Sequence, residues 1–365
     1  MTIGPGSAFK RIGGTMVDPS IVLPANLPLE LSGEVVRARL CVFTDHQNRD
    51  MALRPDLTLP VALDEVEARR AGAEGIRVAQ YAARAFRMPA SVGDPIEFVQ
   101  IGCERFGDEG GPAVDADTFA LVAEEAAAAG LKTAHTRLGD LGVFQAFVDA
   151  LDLSVATKAA LKRAFREVGG IGALLDRETL PSSGMAKRLK GMDRGDARQI
   201  VDDMIEVGGL SLVGTRTADE IVERLLETAN AGDIADISEE ARTVLEAVRH
   251  FEATPAEAAD GLAKIARQAG LEGIDHAFHA LENRHSRLAS SAKAYMDSAV
   301  FSISFGRRFT YYDGFLFEMF KDAAAKMPFG AGGRYDQLLH RLSNGDVDAT
   351  AIGAVIRPDR LPPYG

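Results

Sequence analysis

The C-terminal part of the chain, residues 301–361, constrains its fold most strongly. Residues 302–306 and 315–320 alternate polar with apolar side chains, a pattern typical of half-buried strands. A polar, aromatic turn at 307–314 separates them, and a glycine-rich turn with the sequence GAGGRYD covers 330–336. A short apolar run then closes on the arginine-containing segment 357–360. This order predicts short strands joined by turns that carry arginine and tyrosine side chains.

The composition of these turns suits a small charged ligand. Glycines let the backbone approach a ligand closely, and fixed arginines and tyrosines can hold a zwitterionic or phosphorylated molecule. The alternative interpretation is that the glycines only punctuate hairpins, and each turn taken alone is compatible with it. The turns taken together, in this order, favour a binding site.

Together these segments resemble the catalytic core of the histidyl-tRNA synthetase family. Residues 307–312 resemble the family's RGLDYY histidine signature, residues 332–336 match its GGRYD turn, and residues 357–360 resemble its third class II motif. The resemblance implies an α+β fold with a class II aminoacyl-tRNA synthetase-like core. That core is a mostly antiparallel sheet flanked by helices.

Two earlier segments extend the resemblance. The sequence RPDLT at 54–58 resembles the family segment whose acid and threonine hold the α-ammonium of the amino acid, with Asp56 in place of the family's glutamate. An Asx turn beside an arginine is the alternative interpretation. Two predicted strands, 77–87 and 96–107, flank the loop 88–95, which is the arrangement of class II motif 2. The resemblance assigns Arg87 to the α-phosphate of ATP.

The second of these strands carries two polar residues that the resemblance assigns to the histidine pocket. Gln100 and Glu104 point to the same face of a strand, so both can reach one ligand. A buried carboxylate is unfavourable unless it is paired, and an imidazole N–H would satisfy Glu104. The alternative is a structural ion pair between Glu104 and Arg105 or Arg87.

Two departures from the family pattern affect the nucleotide site. The loop 88–95 contains one acid and no lysine or arginine, whereas adenylyl transfer relies on positioned positive charge. Arg357 also stands at a glycine position of the family, where its side chain would block adenine. We therefore interpret Arg87 and Arg360 as remnants of a nucleotide site.

This combination resembles the regulatory subunits of ATP phosphoribosyltransferase, which are paralogues of the synthetases. The opening segment 23–34 is more similar to them than to working synthetases, and Arg308 and Thr310 replace a glycine and an aspartate of the synthetases. The resemblance implies a protein without catalysis or cofactor. It would activate a short-form catalytic subunit in the first step of histidine biosynthesis and mediate feedback inhibition by histidine.

The resemblance implies a remnant synthetase pocket as the effector site, although a site at a subunit interface remains open. The alternative function is a truncated synthetase-like enzyme that adenylates histidine or another amino acid for a non-tRNA acceptor. The residues expected to line the pocket are Asp56, Thr58, Arg87, Gln100, Glu104, Arg307, Tyr311 and Tyr312.

The composition limits which binding partners and which cellular compartment we expect. The formal net charge is −12, and basic residues are dispersed among more numerous acids, which argues against tRNA binding. No apolar run approaches the roughly 20 residues that a membrane helix needs. No signal-peptide core is present, so we expect a cytoplasmic protein in which Cys41 and Cys103 are reduced. His276 and His279 lack a neighbouring acid or cysteine cluster, and we expect no metal site.

The predicted organisation is a flexible leader at 1–18, a core formed by 19–164 and 291–365, and a mostly helical insertion at 165–290. The chain ends five residues after Arg360, so we expect no anticodon-binding domain. Class II cores usually pair across motif 1, which implies a homodimer within a hetero-oligomer. Helices are predicted at 65–72, 155–168, 195–207, 217–229, 238–250, 255–269 and 284–297. Ser32 is also predicted to cap a helix over 34–40, and Asp115 or Asp117 to cap a helix that runs through the alanines at 126–129.

Overall fold

A computed structural model gives the fold of the chain. Of the predicted helix at 217–229, only residues 222 and 226 are among the residues that the structure describes. Arg307 lies outside the described residues. No helix in the described part is long and apolar enough to cross a lipid bilayer. The described residues are 7–91, 93–166, 170–175, 188–189, 192–207, 222, 226, 237–305 and 311–362.

Two β-sheets organise the described residues. The strands, in chain order, are β1 (Thr15–Met16), β2 (Val22–Pro24), β3 (Val42–Thr44), β4 (Asp50–Leu53), β5 (Arg77–Phe86), β6 (Glu97–Phe106), β7 (His135–Asp140), β8 (Glu252–Ala253), β9 (Val300–Ser302), β10 (Phe315–Phe320), β11 (Gly330–Arg334) and β12 (Ala351–Ile356). Nine of these described strands form one sheet in the order β1-β5-β6-β12-β11-β10-β7-β9-β8. The other three form a small sheet in the order β2-β4-β3.

Helices flank the large sheet. In the described part they are α1 (Ser7–Arg11), α2 (Asn26–Leu31), α3 (Glu34–Arg37), α4 (Thr58–Arg70), α5 (Pro112–Ala128), α6 (Leu141–Ala150), α7 (Val155–Ala164), α8 (Gly170–Leu175), α9 (Arg194–Val207), α10 (Glu239–Arg249), α11 (Pro255–Gln268), α12 (Asp275–Met296) and α13 (Leu338–Leu342). The strands of the large sheet pair antiparallel except β1 with β5 and β7 with β9. The predicted mostly antiparallel sheet with flanking helices is confirmed.

Strand predictions succeed where the apolar pattern is long. The predicted strands at 77–87 and 96–107 are β5 and β6, and they pair antiparallel over ten residues each. The predicted strand at 302–306 is wrong over 303–305, because β9 ends at Ser302 and the chain then turns. The turn predicted at 330–336 is wrong over 330–334, which form strand β11, because its glycines let β10 and β12 pair closely on either side. Strand β10 is buried on both faces rather than half-buried. Leu316 is buried in the same hydrophobic cluster as Phe315 and Phe317, although it alternates with them along the strand.

Helix ends were predicted less well than strands. Ser32 does not start the helix predicted after it but ends α2, and α3 is only a single turn. Asp115 does not cap α5, which begins at Pro112, because its carboxylate is buried inside an ion-pair cluster. The helix predicted at 284–297 begins nine residues earlier, at Asp275.

One hydrophobic cluster joins the large sheet to the helices behind it. Phe317 of β10 packs edge-on against Phe119 of α5, with ring centroids 5.0 Å apart. Leu245 of α10, Leu262 of α11 and Leu288 of α12 belong to the same buried cluster. Residues from the predicted insertion therefore share a core with the sheet, while its boundaries at 165–290 stay a prediction.

Candidate functional site

A cavity of about 320 Å³ lies on the face of the large sheet opposite α5. Residues of β6, β10, β11 and β12 contribute to it, together with Arg87 directly after β5 and the segments before α4 and around Tyr311. A second cavity of about 500 Å³ lies over β7, β9 and β10, and the two share Tyr312, Glu318 and Ala331 as lining residues. We take the smaller cavity as the candidate site because the predicted residues converge there.

The structure brings most of the predicted site residues together. Arg360, predicted as a remnant of the nucleotide site, also lines the cavity. Glu104 lies beneath it and is not among the described lining residues. Six residues of the predicted amino-acid pocket line the cavity: Asp56, Thr58, Arg87, Gln100, Tyr311 and Tyr312.

Asp56 places a buried carboxylate at the inner end of the cavity. It is 3% exposed, and its Oδ1 accepts a hydrogen bond from the backbone N–H of Leu59 at 3.2 Å, at the start of α4. Its Oδ2 has no hydrogen-bond partner among the described residues. Burial raises the pKa of Asp56, and the positive charge of Arg87 opposes that rise. A carboxylate oxygen left unsatisfied in this way favours a ligand with a cationic N–H donor.

The segment around Asp56 is positioned by its neighbours. Arg54 is almost fully buried and turns away from Asp56, donating from Nε to the carbonyl of Arg84 at 2.7 Å. The Asx-type hydrogen bond of the alternative interpretation is present, but the neighbouring arginine does not pair with the acid. Arg87 holds the same segment by donating from Nε to the carbonyl of Pro55 at 2.7 Å.

Glu104 is held by three hydroxyl groups of the protein. Its carboxylate accepts hydrogen bonds from Thr58 Oγ1 at 2.7 Å, from Tyr81 at 2.8 Å and from Tyr335. Burial raises the pKa of Glu104 to about 7, although the three hydroxyls oppose this rise. Opposite it in β12 lies Gly353, where a Cβ would overlap the Glu104 carboxylate.

Neither ion pair considered for Glu104 forms, because its carboxylate faces tyrosines. Arg105 pairs instead with Asp108 at 2.5 Å. Tyr81 and Tyr335 are site residues that sequence reasoning missed. The position of Tyr335 inside the GGRYD turn is the signal that could have found it, whereas nothing in the sequence around Tyr81 marks it.

Three packed tyrosines, which we call the tyrosine wall, form one side of the site: Tyr311 and Tyr312 line the cavity, and Tyr335 packs against them. The ring centroid of Tyr311 lies 4.9 Å from that of Tyr312 and 5.9 Å from that of Tyr335. Burial raises the pKa of each of these phenols, so they stay protonated and act as hydrogen-bond donors. The wall therefore presents aromatic faces and hydroxyl groups to a ligand.

Arginines line the outer end of the cavity. The Arg357 guanidinium lies 3.8 Å from the ring centroid of Phe98 and is held by two hydrogen bonds to Asp359, at 3.0 and 2.9 Å. Arg360 donates to the carbonyl of Pro328 at 2.7 Å, and burial together with the charge of Arg357 lowers its pKa to about 10. Sequence reasoning missed Arg39, which also lines the cavity.

The stacked pair of Arg357 and Phe98 decides what the outer end can bind. A planar base needs an exposed aromatic face to stack on, and the guanidinium already covers this one. The remaining arginines favour a carboxylate or another small anion, while Asp56 favours an ammonium group at the other end. The arrangement therefore suits a small zwitterion such as an amino acid better than a nucleotide.

Comparisons with known proteins show which proteins the chain is similar to. The histidyl-tRNA synthetase profile matches residues 6–206 and 209–361. A protein from Chelativorans sp. strain BNC1 named ATP phosphoribosyltransferase regulatory subunit is 30% identical over 360 residues, covering 97% of this chain and 94% of that protein. A protein of the same name from Rhizobium rhizogenes strain K84 is 31% identical over 358 residues, covering 94% and 92%.

Solved structures show the same fold. A structure described as an ATP phosphoribosyltransferase regulatory subunit/histidyl-tRNA synthetase from Bacillus halodurans aligns with a TM-score of 0.60 at 19% identity, over 98% of this chain and 76% of that one. Histidyl-tRNA synthetase from Nostoc sp. PCC 7120 aligns with a TM-score of 0.57 at 13% identity, over 97% and 68%. These likenesses confirm the predicted class II synthetase-like core.

Proposed function

The chain belongs to the histidyl-tRNA synthetase family, in its group of ATP phosphoribosyltransferase regulatory subunits, and from this premise we propose that it is a non-catalytic regulator. In this function it binds a short-form catalytic subunit in the cytoplasm, raises its activity in the first step of histidine biosynthesis, and transmits inhibition by histidine. The observation that carries the proposal is the cavity itself. Its amino-acid end keeps an unsatisfied carboxylate, whereas its nucleotide end is covered by Arg357.

Histidine is the effector proposed for the cavity. Its α-ammonium would bind the Asp56 carboxylate, and its carboxylate would lie toward Arg87. The imidazole would then face Gln100 and Tyr312, which both line the cavity. Arg307 stays part of the proposed site through the resemblance alone. Glu104 would act through the hydroxyl groups that it holds rather than by direct contact.

The proposed lack of catalysis rests on the outer end of the site. Adenylation requires ATP to lie in line with the amino acid and positive charge to surround the transferring phosphate. Arg357 covers the ring of Phe98, and Asp359 holds it there by two hydrogen bonds. Binding energy gained in such a cavity can shift a conformational equilibrium instead of driving chemistry.

Reconstitution tests this function. We expect the pure protein to raise the phosphoribosyl-transfer rate of an added short-form catalytic subunit, and we expect histidine to lower that rate. A matched reaction with the catalytic subunit alone gives the baseline. No change in rate on adding the protein, under conditions where the two chains co-elute, would contradict the proposal.

An enzyme that adenylates an amino acid is the second candidate function. It is favoured by one observation: both Arg87 and Arg360 line the cavity, as a nucleotide phosphate would require. Amino-acid-dependent exchange of pyrophosphate into ATP, measured with the pure protein, separates the two. Clear exchange would support the enzyme, and its absence together with activation of the catalytic subunit would support the regulator.

A homodimer within the complex is proposed from the small sheet. Phe43 of β3 and Val22 of β2 are 41% and 40% exposed. They lie on the same face of the small sheet, because their partners in β4, Met51 and Leu53, alternate along that strand. A second copy of the chain would cover this surface. Sedimentation of the wild-type chain and of Phe43→Asp tests it, since only the wild type should run as a dimer.

A further inference from the structure

A buried cluster of charges lies between the sheet and α12. Asp115 of α5 is fully buried, and its Oδ2 accepts a hydrogen bond from Arg284 Nε at 2.6 Å. Its Oδ1 accepts from Nη2 and Nε of Arg334, at 2.6 and 3.0 Å. One carboxylate therefore holds two guanidinium groups that come from parts of the chain far apart in sequence.

Arg284 links this cluster to the helices outside the site. It belongs to α12, which packs against both α5 and α11. Its guanidinium also binds the carboxylate of Asp140 at the end of β7 and lies 5.3 Å from the ring centroid of Phe315. A shift of α12 along its axis would have to move or break these contacts, because charged groups buried without partners are strongly unfavourable.

Arg334 links the cluster to the tyrosine wall. Its carbonyl accepts a hydrogen bond from the N–H of Asp313 at 3.1 Å. Its side chain packs closely against Gly314, since a Cβ added to that glycine would lie 3.3 Å from Cδ of Arg334. The Asp313 carboxylate in turn accepts from the backbone N–H groups of Asp336 and Gln337, at 3.1 and 2.7 Å. The segment 311–314 and the turn that follows β11, at 335–337, are thereby connected to each other.

Both turns carry residues of the candidate site. Tyr311 and Tyr312 directly precede Asp313, and Tyr335 directly follows Arg334 and donates to Glu104 beneath the cavity. The position of Arg334 therefore sets the position of the wall and of the hydroxyl cluster around Glu104. Arg334 itself does not line the cavity.

We propose that Asp115 is a positioning residue that couples helix α12 to the tyrosine wall of the cavity through Arg284 and Arg334. A change in the position of α12 then changes the cavity, and a ligand in the cavity biases the position of α12. Such coupling is reciprocal by thermodynamic necessity. The ligand part of this inference rests on the proposed function, whereas the coupling of helix and wall does not.

Tyrosine spectroscopy offers a direct readout. The chain contains no tryptophan and six tyrosines, so its near-ultraviolet circular dichroism near 280 nm comes from tyrosine. Three of these tyrosines, at 81, 311 and 335, are buried in or beneath the site, and Tyr312 beside them is half-buried. The spectrum of the ligand-free chain therefore reports the wall without any assumption about histidine.

The test compares Asp115→Asn and Arg284→Met with a matched control on the same helix. Glu125→Gln also changes a buried carboxylate of α5, one that accepts a hydrogen bond from the N–H of Ala8 at 2.5 Å and has no contact with Arg334. We expect both cluster variants to change the near-ultraviolet spectrum in the same direction at unchanged far-ultraviolet spectrum, and the double variant to add little. The control should leave the tyrosine spectrum unchanged.

Histidine affinity adds a second readout, measured by calorimetry with L-histidine. We expect the cluster variants to weaken binding by about 5-fold or more, the lower end of typical coupling between sites, while the control binds normally. If Asp115→Asn does not fold, Arg284→Lys, which keeps the positive charge, carries the same spectral test. Cluster variants whose tyrosine spectra match the control's would overturn the coupling, whereas spectral change without any histidine binding would overturn only the proposed effector.

Discussion

Glu104 makes the stability of the chain depend on pH in a way that can be calculated from its surroundings. Burial raises its pKa from 4.5 to about 7 in the folded chain. The folded state therefore holds a proton that the unfolded state releases, so this contribution to stability is complete below pH 4.5 and is lost as the pH rises through 7. At 1.36 kcal/mol for each pH unit, the displacement corresponds to about 3 kcal/mol.

The variant Glu104→Gln removes this titration. The amide keeps the size of the side chain. Its one oxygen can still accept hydrogen bonds from Thr58 and Tyr81, and its NH2 group can donate to the hydroxyl oxygen of Tyr335. The free energy of unfolding of the wild type, minus that of the variant, should fall by about 3 kcal/mol between pH 4.5 and pH 8. Taking the difference cancels the titration of other buried groups, such as Asp313, whose pKa burial raises to about 6.

Urea unfolding followed by far-ultraviolet circular dichroism at closely spaced pH values measures this difference. Asp322→Asn, on an exposed turn, is the control variant and is measured across the same pH range. A flat curve for Glu104→Gln would refute the reasoning. It would mean that the three hydroxyl donors stabilise the ionised carboxylate enough to offset the burial.

Three further changes test the site and the fold. Asp56→Asn should weaken histidine binding by about tenfold or more in calorimetry, since an ion pair with the α-ammonium becomes a neutral contact; unchanged affinity would place the effector elsewhere. Arg357→Gly should expose the ring of Phe98 and raise the affinity for ATP, measured by equilibrium dialysis; continued absence of binding would show that other losses block the nucleotide. Burial lowers the pKa of His285 to about 4, so its contribution to stability, present above pH 6.5, is lost as the pH falls through 4. In urea unfolding, the free energy of unfolding of His285→Gln should fall by about 3 kcal/mol less than that of the wild type between pH 6.5 and pH 4. The same pH dependence in both proteins below pH 6 would contradict this assignment.

The strands of the site could be predicted from the sequence, because their signals are local. The long apolar pattern of β5 and β6 placed Arg87 and Gln100 correctly beside one cavity. The partners of Glu104 could not be predicted, since Tyr335 lies 231 residues away and only the pairing of β6 with β12, and of β12 with β11, brings the two together.

The same limit explains the error at Asp115. An acid in the first turn of a helix is normally a cap or a favourable charge near the N-terminus, and the local sequence contains nothing against that interpretation. Its actual partners are Arg284, 169 residues later, and Arg334, 219 residues later. Buried ion pairs between distant segments are set by the packing of α12 on α5, which no short window of sequence contains.

The contacts that hold each end of the cavity bear on how the proposed regulation would work. Regulation requires that a ligand bind two states of the protein with different affinity, so some part of the cavity has to differ between those states. Asp56 lies two residues before α4 and Gln100 lies on strand β6. The Gln100 side chain accepts a hydrogen bond from the N–H of Leu57 at 3.1 Å. That end of the cavity is therefore fixed by its own contacts. The tyrosine wall is held instead by Arg334, whose partner Asp115 also holds α12. The wall is thus the part of the cavity whose position depends on a helix outside it, and a ligand that binds against the wall gains or loses affinity as that helix moves.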